Sequence, residues 1–267
     1  MSSIYKQFFV GIILSISSSC FSQEKDLNTE EKRLLKIYSH LVSMPYGSGS
    51  DSLNNSSDEF SKEIRKFIEH NPSTLIYDFP LLSGALTVTT SKDGRLRIYS
   101  WDTWTGGTMH FFNQIYQYKD NDKVFTNTPV PEEDDPGRFC SEIYSISINN
   151  RKFYMVVSNG IYSTKDASQT ISVYTITENK LTDTTRLFKT KAKFLNAISI
   201  EYDFFSVVDK PERPVELITY DDQFKTIYIP VVNDKQQVTD NNLIYQLKGN
   251  YFEFTGIGKS KQKPKSG

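Results

Sequence analysis

With 267 residues and 31 Lys+Arg against 32 Asp+Glu, the chain has no global field to draw it to nucleic acid or to an anionic membrane surface. Aromatic residues reach 13%, mostly Tyr (16) and Phe (18), a bias that favours strands. The length allows one large domain or two small ones around a substantial core.

The first residues point to export. Lys6 supplies a positive start, Phe8 to Ile16 form an apolar run too short to span a bilayer comfortably, and small residues follow at Ser17 to Ser19. Residues 1–22 therefore read as a secretory signal peptide, with cleavage expected near Ser22 or Gln23. Cys20 offers a lipid-attachment point, although no Leu stands three residues before it. The expected location is secreted or periplasmic, with an outer-membrane lipid anchor only if Cys20 is acylated. Loss of Cys20 with the leader leaves Cys140 without an internal disulfide partner, and a small buried apolar role suits Cys140 better than a nucleophilic one.

Residues 24–72 read as a helical segment. Asn28 or Thr29 is placed to cap a first helix with Glu30 and Glu31 in its first turn, and Leu34, Leu35, Tyr38, Leu41 and Val42 fall at helical spacing. Pro45 and the Ser/Gly/Asn-rich run to Ser57 predict a loop. A second helix is predicted from Asp58, with Phe60, Ile64, Phe67 and Ile68 on one buried face and Pro72 as its stop.

Residues 73–256 read as a β domain. Leu75, Tyr77 and Phe79 alternate, and Ser91-Lys92-Asp93-Gly94 has the chemistry of a hairpin turn. A loose repeat follows, beginning at Asp93, Asn150 and Glu212. Each copy holds a strand, a loop, a second strand, a Lys-bearing turn and a Thr-rich stretch. The turn lysines Lys123, Lys180 and Lys235 lie 57 and 55 residues apart (180 − 123 and 235 − 180). Such a period, with strands in every unit, predicts a mainly β fold of antiparallel propeller-like or barrel-like repeats behind two N-terminal helices. The basic stretch 257–267 is expected to be a disordered tail, and Val130 to Arg138 an acidic connection.

The densest set of functional side chains lies between β-strand patterns, from Trp101 to His110. Two Trp, an Asp, a His and the nearby Arg97 could stack on a sugar ring and bond its hydroxyls, which makes Arg97, Trp101, Asp102, Trp104 and His110 the candidate ligand contacts. Strand alternation sets Leu96, Ile98 and Ser100 against Arg97, Tyr99 and Trp101, so one Trp is expected in the core. Asp102, Glu142, Glu201 and Asp203 are carboxylates that could converge for acid–base chemistry. No nucleophile elbow, metal-ligand spacing or phosphate-cradling loop is present; no catalytic residue, metal or cofactor is therefore assigned. Asp120-Asn121-Asp122 and Asp221-Asp222 read as turns rather than calcium loops. The sequence favours an exported β-rich binding or interaction protein of the bacterial envelope, with a glycan, a peptide or an envelope protein as partner. A secreted glycan hydrolase using carboxylates near the same loop is the alternative.

Overall fold

The structure is a computed structural model that describes residues 26–44, 50–129 and 135–260. Residues 1–25, with the stretch read as a signal peptide and Cys20, residues 45–49 at the start of the expected loop, residues 130–134 and residues 261–267 lie outside the described residues. The chain is mainly β, with 45% of residues in strands, and two α-helices among the described residues. It divides into two compact units, Met1–Gly84 and Ala85–Gly267.

In the first unit, α1 (residues 26–43) buries Leu27, Leu34 and Leu41 in one stripe. Glu31 shares that stripe. It was expected in the first turn on grounds of the helix dipole alone, and it is fully buried. Its carboxylate accepts the Tyr77 hydroxyl at 2.6 Å and the Leu81 and Leu82 N–H groups at 2.8 and 2.9 Å. Three donors on one carboxylate offset the cost of taking it from water. α2 (Ser50–His70) buries Phe60, Ile64, Phe67 and Ile68 as the stripe predicted. It starts before Asp58, because Ser56, Ser57 and Ser61 are themselves packed, and packing overrides the weak helix propensity of Ser and Asn. Pro72 ends it. The Leu75-Tyr77-Phe79 alternation is not a strand: Pro72–Leu75 is a 3₁₀ turn, and bends and turns follow to Gly84. Phe79 sits at φ 51°, edge-on to Phe67 and Tyr77, and the Glu31 bonds hold the adjoining turn.

The second unit contains three antiparallel meanders. β1 (Thr87–Thr90), β2 (Leu96–Asp102), β3 (Phe112–Asp120) and β4 (Lys123–Asn127) form the first sheet in that order. β5 (Phe139–Ile148), β6 (Arg151–Ile161), β7 (Asp166–Thr177) and β8 (Lys180–Thr182) form the second, and β11 (Ala197–Asp203) lies along β7. The third is built on β12 (Thr219–Asp221), β13 (Thr226–Val232), β14 (Val238–Lys248) and β15 (Tyr251–Gly258). It is extended by β9 (Phe188–Lys189), which runs parallel to β15, and β10 (Phe194–Leu195). Ile257 and Gly258, read as tail, belong to β15. None of the sheets closes on itself.

The second sheet is the middle layer. Phe153, Met155 and Val157 of β6 join a core with Ile218, Ile227, Ile229, Tyr245 and Phe252 of the third-sheet region. The alternate residues Tyr154 and Val156 join a core with Leu96, Ile98, Tyr116 and Tyr118 of the first sheet. This two-sided burial is why β6 reads as a continuous apolar run instead of alternating. A bulge between Cys140 and Glu142 in β5 shifts the parity, so Cys140 points into the same core as Ile143 while Tyr144, Ile146 and Ile148 face the other.

One end of the stack is made of short turns. Asn149 and Asn150 (φ 49° and 62°) join β5 to β6, and Glu178 and Asn179 (φ 52° and 62°) join β7 to β8. Both central residues are left-handed, as type I′ hairpins require. These turns dock on each other: Asp120 accepts Arg95 at 3.1 Å and the Asn179 N–H at 2.9 Å, and Asn149 bonds Asn250 at 2.5 Å. Asp93, in the predicted turn, accepts Lys152 at 2.7 Å and Tyr154 at 3.1 Å, tying the first sheet to the second. The opposite end carries the long loops 103–111, 162–165 and 204–218. The repeat is in phase for two copies only. Lys123 and Lys180 open the fourth strands at the short-turn end. Lys235 lies in the turn between β13 and β14 at the loop end, where the Asp203 N–H donates to Gln236 O at 2.7 Å.

Candidate functional site

The 103–111 loop is built by local bonds. Asp102 Oδ1 accepts the Trp104 N–H at 2.8 Å, an Asx turn. Trp104 adopts φ 59°, which is costly for a bulky side chain. The Thr103 N–H donates to Phe111 O at 2.8 Å and closes the neck. A Cβ on Gly106 would lie 1.9 Å from the Met109 carbonyl oxygen, so only glycine fits where the chain doubles back. The His110 N–H donates to Ile161 O at 3.0 Å and ties the loop to the middle sheet.

Asp102 and His110, eight residues apart, meet across the loop with Oδ2 and Nδ1 2.5 Å apart. An ionised carboxylate has no donor, so Nδ1 carries the proton, leaving Nε2 as the ring nitrogen available to a ligand. The imidazole stacks on Phe112 at 6.2 Å, and Phe112 in turn packs on Phe139 at 5.1 Å.

His110 lines a cavity of about 540 Å³ at the loop end. Gly107 and Thr108 share its wall. Phe139, Asn159, Gly160 and Ile161 come from the middle sheet, with Ser163, Thr164 and Ala167 from the β6–β7 connection and the start of β7. Tyr202, Phe204, Arg213, Pro214 and Val215 complete it. Burial pushes the Tyr202 hydroxyl up to about 12, against the pull of the Arg213 guanidinium, so Tyr202 acts as a neutral phenol. Arg213 Nη1 donates to the carbonyls of Lys210 and Glu212, Nη2 donates to Val208 O at 2.8 Å, and the group lies over the Phe204 ring at 5.6 Å. Gln169 fixes the 213–218 strip to the middle sheet. Its Nε2 donates to Asn159 Oδ1 at 2.8 Å and to Val215 O, and its Oε1 accepts the Leu217 and Ile218 N–H groups at 3.2 and 2.9 Å.

Of the five residues chosen from the sequence, the structure pairs Asp102 with His110 and puts His110 on the cavity wall. Trp101 is 2% exposed, in the core. Trp104 is 45% exposed and is not part of the cavity wall. Arg97 is buried and donates to Thr90 Oγ1 at 2.7 Å. The other carboxylates lie apart. Glu142 faces a neighbouring cavity of about 250 Å³ and Glu201 a third of about 310 Å³. Asp203 caps Phe205 N–H at 2.9 Å. The Cys140 thiol is buried and pushed up to about 12 by burial, which removes it as a nucleophile. Tyr202, Arg213 and Asn159 were not singled out from sequence, because only the packing of the strands and of the 204–218 loop brings them to the cavity that His110 lines. No family model matches the chain, and no curated protein is detectably similar to it.

Proposed function

We propose that this chain is an exported β-rich binding protein of the bacterial cell envelope that takes its ligand in the cavity behind the Trp101–His110 loop. The observation that carries this reading is the cavity itself. Its volume falls within the ~300–1,000 Å³ typical of ligand sites, its wall is mostly apolar, and its few polar groups are held by second partners. Arg213 is pinned by three carbonyls and His110 by Asp102. Groups already ordered lose little freedom when a ligand arrives. The signal-like pattern of residues 1–22 supports export. The contact set of this reading shifts from the two tryptophans to Asp102 and His110 with Tyr202 and Arg213.

The test is a thermal-shift and titration screen of the mature protein against glycans, peptides and small organic molecules, repeated on Thr108→Trp. Thr108 is exposed on the cavity wall, so the indole obstructs the cavity without entering the core. Ligands that bind the unsubstituted protein are expected to lose affinity to Thr108→Trp. Unchanged affinity for every ligand found would refute the cavity as the site.

The Asp102–His110 pair favours a second reading, a hydrolase in which His110 serves as general base oriented by Asp102. Under it, His110→Asn abolishes turnover of a substrate that the protein still binds. Absence of turnover across ester, amide and glycoside panels would count against it.

A further inference from the structure

Among the described residues, the ionisable groups on the wall of the large cavity are His110, Tyr202 and Arg213, with no Asp or Glu side chain. His110 Nδ1 is turned to Asp102. The three bonds of Arg213 go to neutral carbonyls of Val208, Lys210 and Glu212. Among the described residues no carboxylate forms an ion pair with it. Arg213 also borders the smaller neighbouring cavity, whose wall carries Glu142, Glu212 and Glu216. A guanidinium has five N–H donors, so with three spent, two remain for a ligand. The apolar part of the wall is made of Phe139, Ile161, Ala167, Phe204, Pro214 and Val215, beside the neutral polar Thr108, Asn159, Ser163 and Thr164. Ser163 Oγ donates to Asp166 at 2.7 Å and accepts the Lys165 and Asp166 N–H groups at 3.1 and 2.9 Å, so it offers no free acceptor to the hydroxyls of a sugar.

We infer that the cavity takes a small organic acid: a single carboxylate set against Arg213, and an apolar body along the aromatic and aliphatic wall. This rests on the cavity being the ligand site. Arg213 suits a carboxylate better than a Lys would, because its planar fork offers paired donors and stays charged at any working pH. Its pinning by three carbonyls fixes where the head group sits without neutralising it.

The experiment is calorimetric titration of the full chain with octanoate, octanol and octylamine, on the unsubstituted protein, Arg213→Gln and Thr108→Trp. Octanoate is expected to bind at least about tenfold tighter than octanol or octylamine, the range of a charge-assisted bond. Arg213→Gln is expected to erase that preference while octanol binding stays, and Thr108→Trp to weaken all three. Equal or tighter binding of octanol or octylamine overturns the inference, as does a preference for octanoate that survives Arg213→Gln. If Thr108→Trp still weakens the probes in those cases, the cavity reading stands and only the charge class falls. If no probe binds, or Thr108→Trp alters none, both fall. Should Arg213→Gln fail to fold, the preference of the unsubstituted protein decides alone.

Discussion

At the short-turn end of the sheet stack, every bond serves the fold. Asp93, Asp120 and Asn149 join neighbouring sheets, and left-handed Asn149, Asn150 and Asn179 turn the chain in two residues. At the loop end the same sheets release long connections, and their polar groups are aimed around a cavity. Asp102 holds His110, and Gln169 holds the strip that carries Val215. One set of sheets thus supports two kinds of ending: a stapled one where sequence change costs stability, and an open one where it alters a site.

Trp101 and Trp104 test this contrast first. Trp101 is 2% exposed, so Trp101→Ala is expected to cost about 3–5 kcal/mol in urea unfolding, the range for a buried aromatic. Trp104→Ala should change it by less than about 1 kcal/mol. Equal losses would erase the distinction between core and loop.

Gln169 comes next. Gln169→Ala leaves the buried Leu217 and Ile218 N–H groups without their acceptor, at about 1–3 kcal/mol for each unsatisfied group. Hydrogen exchange at those two amides should accelerate while β6 amides stay protected. Uniform acceleration would mean Gln169 holds the whole unit rather than the loop end.

At the short-turn end, Asn179→Ala places a Cβ residue at φ 62° without the tolerance of Asn, and a loss of about 1–2 kcal/mol is expected. Trp104→Gly, at φ 59° in the open loop, should be neutral or slightly stabilising in the same assay. The opposite order would show that the loop, not the turn, is the rigid element.

Asp93 gives the smallest and most pH-specific effect. Burial opposes its ionisation, but Lys152, Ser91 and the Arg95 N–H outweigh it and hold the carboxyl below its usual value. Its contribution to stability is therefore present above the unfolded-chain value near ~3.9 and disappears as pH falls through the lower folded value. Asp93→Asn should flatten the acid limb of a melting-temperature profile below about pH 4. An unchanged limb would assign acid sensitivity elsewhere.

Local patterns carried much of this into the sequence. The α2 stripe, the Ser91–Gly94 turn and the Asp120 and Asp221 turns depend on residues close in the chain, and the Asp102–His110 pair spans a single loop. What depended on packing was hidden. Glu31 looks like a first-turn acid until Tyr77, Leu81 and Leu82 are brought to it. Leu75-Tyr77-Phe79 alternates like a strand but follows a 3₁₀ turn. The Lys235 turn resembles those at Lys123 and Lys180 because turn chemistry is blind to which end of a sheet it closes. Arg213 and Tyr202 lie far along the chain from His110, and nothing in spacing foretells their meeting.

The most direct test of a ligand cavity at the loop end is amide chemical-shift mapping of the labelled protein during a mixed fragment screen. Shifts clustered at Gly107, His110, Gly160, Ile161 and Val215 are the predicted result. Shifts confined to the turns at Asn121, Asn150 and Asn179, or none at all, would contradict it.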